Sequence, residues 1–162
     1  MSAPSTAALA SLPYTVGALR SLGSTLPAYA SAGFTNLMLL DLSSNPLTNF
    51  FLPDGQTNLT SLTIEAAGLT NLALPADLSR LNNLDLENNQ LSQFDLPANL
   101  TSLVALDLGF NRFTNFSLPG GLTNLSTFYF AGNPLTSVAL PPGLAGMTEL
   151  NLSQNLLTSF IW

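Results

Sequence analysis

The chain has no histidine, no cysteine and no lysine. The first two absences remove the usual zinc ligands, the thiol nucleophiles, any disulfide framework and the commonest general base. The third leaves Arg20, Arg80 and Arg112 as the only basic side chains against nine acids, for a net charge of -6. So few cations cannot neutralise a run of phosphates, so nucleic acid is not an expected partner. Nor is there a polybasic patch for an anionic membrane. No apolar run approaches the roughly 18 residues of a membrane span, so no insertion is expected. The opening MSAPSTAALASLPYTV lacks the basic start of a secretory signal.

Charge of either sign is also scarce. Charged residues make up 7% of the chain, against about 25% in an ordinary soluble domain. The surface must therefore be coated by Ser, Thr, Asn and Gly, and copies of such a molecule repel one another weakly. The missing lysines and this coat lean the compartment towards the cell exterior.

What the sequence has instead is a period. Counting from Leu37, one frame returns at Leu59, Leu81, Leu103, Leu125 and Met147, each step 22 residues with no insertion. The apolar series Leu37, Leu40, Leu42, Leu47 becomes Leu81, Leu84, Leu86, Leu91, and later Leu125, Phe128, Phe130, Leu135. The ninth position is asparagine at 45, 89, 111, 133 and 155, and Ala67 is the exception. A bulky residue and a Leu-Pro pair follow, with prolines at 53, 75, 97, 119 and 141.

This pattern resembles the leucine-rich repeat family, with its L-x-x-L-x-L-x-x-N-x-L signature. It looks like the compact bacterial type with an xLPxxL second half, and it covers residues 37–162. The resemblance implies a right-handed solenoid of the α/β class, with a short parallel sheet on its concave side and an irregular convex side. It also implies a scaffold that binds proteins rather than an enzyme. Elementary physics points the same way. L-x-L alternates with period 2, so its leucines face one side. The prolines disfavour helix in the return half. The asparagine turns inward to satisfy backbone groups of adjacent coils. At Ala67 that ladder should break, at a cost of about 1–3 kcal/mol unless water or Gly68 compensates.

Residues 1–34 are expected to cap the solenoid and residues 35–162 to form its six repeats, the last truncated. Ser11-Leu12-Pro13 and Thr25-Leu26-Pro27 read as starts of two short helices, with Gly23 and Gly33 as stops. In the sixth copy Leu150, Leu152, Leu157, Phe160 and Trp162 would have a neighbouring coil on one side only. These five are candidates for an end-to-end contact between copies, and a head-to-tail contact that does not close into a ring gives a filament.

Positions 3, 5 and 7 of each copy fall on the open face of the strand segment. They carry six of the nine acids: Asp41, Glu65, Asp85, Glu87, Asp107 and Glu149. Solvated strand faces would account for these acids without any function. The sharper expectation is a partner-binding patch of Asp85, Glu87, Asp107, Phe110, Arg112 and Tyr129, because exposed aromatics and arginine dominate hot spots. Asp85 and Asp107 would stand close to the roughly 5–5.5 Å of a retaining glycosidase pair, but any sheet with adjacent acids gives that spacing. Without a loop insertion in any repeat, no catalytic residue is expected. No cofactor and no metal are expected either, since calcium takes roughly six to eight oxygens and an open sheet supplies too few. The recurring Thr or Ser at 48, 70, 92, 114, 136 and 158 reads as a hydroxyl that satisfies the turn. The expected partner is thus another protein or further copies of this chain.

Overall fold

A period-2 segment that returns every 22 residues can pair only with its own next copy, and the computed structural model shows that pairing throughout. It describes residues 36–52 and 54–161. They form a parallel β-solenoid of about six turns with no helix among them. The two helices expected near the N-terminus, like Trp162, lie outside the described residues.

The strands in chain order are β1 (Leu39–Asp41), β2 (Asn49–Phe51), β3 (Ser61–Thr63), β4 (Asn71–Ala73) and β5 (Asn83–Asp85). After these come β6 (Ala105–Asp107), β7 (Thr127–Tyr129), β8 (Ser137–Ala139), β9 (Glu149–Asn151) and β10 (Ser159–Ile161). One six-stranded sheet has the order β1-β3-β5-β6-β7-β9. All its pairs are parallel and in the repeat's own register: Leu84 faces Leu106, which faces Phe128. The middle residue of each strand is buried from Leu40 to Phe128, while its two neighbours are partly exposed. The ladder runs past the strands, with Leu42 N–H donating to the Thr63 carbonyl at 2.9 Å and Ser44 N–H to the Glu65 carbonyl at 2.8 Å. The same two bonds recur down the stack.

Inside, the asparagines act as expected. Asn89 Nδ2 donates to the carbonyls of Ile64 (2.6 Å), in the preceding coil, and of Leu86 (3.0 Å), in its own. Its Oδ1 accepts the N–H groups of Ala67 (3.1 Å) and Leu69 (3.0 Å). Asn111, Asn133 and Asn155 reach back likewise to Leu91, Phe113 and Leu135. The expected break at Ala67 is repaired by the backbone. The Ala67 carbonyl takes the Leu47 N–H at 2.8 Å, the group an asparagine Oδ1 accepts in the other coils. Gly68 follows at φ +74°, which turns that peptide inward without a Cβ penalty.

The side away from the main sheet, expected to be irregular and convex, is not irregular throughout. β2 pairs in parallel with β4, and β8 with β10. The pairing lapses in the middle coils, where the interior is filled by Phe113, Phe116, Phe128 and Phe130 at centroid distances of 5.0–6.2 Å. A proline ends an extended segment without preventing one, so three residues upstream of each Leu-Pro pair are free to join a ladder. The threonine column does not close its own turn but links successive coils: Thr70 Oγ1 donates to the Thr48 carbonyl at 2.9 Å and Thr158 Oγ1 to that of Thr136 at 3.3 Å.

Candidate functional site

Strand alternation that buries Leu84 and Leu106 forces Asp85 and Asp107 to the opposite, open face, in register on adjacent strands. Each carboxylate first serves the backbone. Asp107 Oδ1 accepts the Gly109 N–H at 2.8 Å, Asp85 Oδ1 that of Glu87 at 3.1 Å, and Asp41 Oδ1 that of Ser43 at 3.0 Å. Asn151 makes the same bond to Ser153 at 3.1 Å. In these four copies the side-chain turn leads into a residue with left-handed backbone, Ser44, Asn88, Phe110 and Gln154; Ala66 and Gly132 take the same backbone without it, after Thr63 and Tyr129.

The turn also gathers charge. Asp85, Glu87 and Asp107 each offer a carboxylate oxygen, all within 4.8 Å of one another. Partial burial pushes the Asp107 carboxyl up to about 6; its bond from Gly109 pulls the other way, and the Asp85, Glu87 and Glu65 carboxylates add to the rise. Asp85 is raised by burial, against the Glu87 N–H bond, with Glu65 and Asp41 contributing. Glu87 is raised by desolvation and then by Asp85 and Glu65. Three carboxylate donors fall short of the roughly six to eight oxygens of a calcium site.

Tyr129 stands in register beside Asp107. Its hydroxyl is hydrogen-bonded to Glu149, which raises its pKa, and Asp107 adds to this from the other side. Phe110 lies on the turn after Asp107 with φ +52° and is 42% exposed. Its ring rests over Gly132: a Cβ there would stand 2.5 Å from Phe110 Cδ1. Gly109 is buried beneath the acids, and a Cβ on it would come within 3.0 Å of Asp107 Oδ1.

Of the six residues expected in the patch, the sheet brings Asp85, Glu87, Asp107 and Tyr129 together and sets Phe110 at their rim. Arg112 is not among them. It is exposed on the outer turn, its N–H donates to the Leu91 carbonyl at 2.8 Å, and no hydrogen bond joins its guanidinium to the acids among the described residues. Its position follows the inward asparagine and so leaves the sheet face. The expected patch also omitted Glu65 and Glu149, which act on the acids and on Tyr129, and the small Gly109 and Gly132, which make room. No clear signal marked the glycines, because their columns vary from coil to coil: Ser43, Glu65, Glu87, Gly109, Ala131 and Ser153 in one, Ser44, Ala66, Asn88, Phe110, Gly132 and Gln154 in the other.

At the far end, Leu150, Leu152 and Leu157 are half-buried, whereas Leu84, Leu86 and Leu91 in the same positions are fully buried. Phe160 is 46% exposed, with Leu156 and Ile161 exposed beside it. β9 is an edge strand of the main sheet. No helix among the described residues is long and apolar enough to cross a membrane.

Comparison of the chain with models of known protein families and with curated proteins returns no match.

Proposed function

We propose that this chain is a leucine-rich-repeat scaffold that recognises a protein partner on its concave sheet face and catalyses no reaction. One observation carries the reading. Asp85, Glu87, Asp107 and Tyr129 share one continuous open surface built on rigid, in-register strands, with an exposed Phe110 at its rim. Aromatic side chains beside desolvated charge are what binding hot spots are made of. A site on paired strands is also held in place before the partner arrives.

A peptide-display selection against the immobilised full chain tests this, with the footprint of each selected ligand mapped by hydrogen exchange. The expected footprint covers residues 83–87, 105–110 and 127–131, and Tyr129→Ala should weaken the ligand without lowering the melting temperature. Ligands that protect the convex side instead would overturn the reading.

A second reading has its own observation, the exposed Phe160 and Ile161 and the half-buried leucines behind them. A further coil from another copy laid on Leu150, Leu152 and Leu157 would bury this apolar surface and pair the free edge of β9, joining copies end to end. Negative-stain microscopy of the pure chain distinguishes the two. Filaments abolished by Phe160→Ser support assembly, and a monodisperse monomer at high concentration removes it.

A further inference from the structure

We propose, resting on the assembly reading above, that two copies of this chain meet tail to tail through the coil of β9 and β10. The product is a closed twofold dimer rather than a filament.

The two ends of the stack differ in what they leave open. β1 and β9 are both edge strands of the main sheet. In the coil of β1, Leu40, Leu42, Leu47 and Phe50 are no more than 5% exposed. In the same positions of the β9 coil, Leu150, Leu152 and Leu157 are half-buried and Phe160 is 46% exposed. A head-to-tail contact would set this open end against side chains that are already covered, and would bury apolar surface on one partner only. Two open ends bury it on both. Like then meets like, which makes the contact isologous and stops growth at two copies.

The backbone of β9 also fits a copy of itself. Each earlier coil offers the next one the carbonyl at the position of Thr148 and the N–H at that of Leu152. The Val104 carbonyl accepts the Thr127 N–H at 3.1 Å, and the Phe130 N–H donates to the Asn151 carbonyl at 2.8 Å. Strand alternation aims both the N–H and the carbonyl of Leu150, midway between, in the same direction. No following coil among the described residues takes up these groups. Turned about a twofold axis through Leu150, a second β9 lies antiparallel to the first. Leu150 then exchanges both bonds with its own copy, and each Leu152 N–H meets a Thr148 carbonyl. Donor meets acceptor at each position, and the free edge is closed.

Charge selects the same face. Residues 113–162 contain one charged side chain, Glu149. Residues 36–112 carry eight acids against Arg80 and Arg112, so copies meeting there would bring like charges together. The end coil holds little to attract a charged partner and little to repel a second copy. In the twofold register Glu149 stands opposite Asn151 of the second copy, clear of the other Glu149.

Sedimentation velocity of the full chain over a range of concentrations reads the size. A species of twice the chain's mass is expected, with none larger. Disulfide capture reads the register, in a chain that has no cysteine of its own. Glu149→Cys and Asn151→Cys proteins, mixed under a mild oxidant, are expected to form the mixed disulfide. Opposed residues of a non-hydrogen-bonded pair lie about 4.5 Å apart, within disulfide reach. Either variant alone is expected to cross-link far less, because identical positions lie diagonally at about 7–8 Å. Both positions are exposed, so neither substitution empties the core. Filaments or a series of larger oligomers would overturn the proposal and leave the assembly reading standing. A monomer at every concentration would remove both. Dimers that form no mixed disulfide would place the contact elsewhere and overturn the twofold pairing.

Discussion

The ring of Phe110 occupies the space that a side chain on Gly132 would need: a Cβ there would lie 2.5 Å from Cδ1 and 2.8 Å from Cε1. The two residues hold the same place in successive coils, and both have left-handed backbone, at φ +52° and +67°. Ala66 adopts φ +50° in the same column, so this backbone accepts a methyl group where there is room. At 132 there is none. Gly132→Ala should therefore destabilise the fold both by left-handed strain, about 1–2 kcal/mol, and by displacing the ring. Urea unfolding of Gly132→Ala in the wild-type and Phe110→Ala backgrounds checks this. The cost should be smaller by about 1 kcal/mol where the ring has been removed, and equal costs would show that the contact carries no energy.

Asn89 does more backbone work than Asn111, Asn133 and Asn155, because the preceding coil has Ala67 where they have a neighbour of their own kind. Its Oδ1 holds two N–H groups and its Nδ2 serves Ile64, Leu86 and Glu87. Asn89→Ala should cost about 3 kcal/mol or more, since several buried groups lose their partner together. Asn155→Ala should cost clearly less, because that residue is only half-buried and one of its bonds is exposed. Chemical denaturation of the two variants side by side gives the ranking. A reversed order would mean that water replaces Asn89 readily.

The coil-by-coil register was legible because a constant 22-residue step admits one parallel pairing, and period 2 then assigns Leu106 inward and Asp107 outward. The acid cluster was legible for the same reason. The pairs of β2 with β4 and β8 with β10, outside the main sheet, were not, since Asn49–Phe51 and Ser137–Ala139 show no sequence contrast with the unpaired 93–95 and 115–117. The repair at Ala67 depends on which way one peptide faces, which composition does not encode beyond the neighbouring glycine. Arg112 follows the inward asparagine, so its backbone belongs to the turn rather than to the strand that carries the acids.

The last prediction concerns pH. Asp107 has a folded-state pKa of about 6 against an ordinary 3.8, so the folded chain binds this proton more tightly than the unfolded one. Stability from this group is then fully present below about pH 3.8 and is lost as pH rises through about 6. Asp85 and Glu87, both raised, act in the same direction. Asp107 is only half-buried, so after solvent screening its share is about 1 kcal/mol rather than the full nominal shift. The fold should accordingly be more stable near pH 4.5 than near pH 7.5, the reverse of a protein held by ionised carboxylates. Asp107→Asn keeps an oxygen for the Gly109 N–H and removes the titration. It should raise stability at neutral pH and flatten the profile, measured as urea midpoints across that window. An Asp107→Asn profile as steep as that of the wild type would place the titration elsewhere.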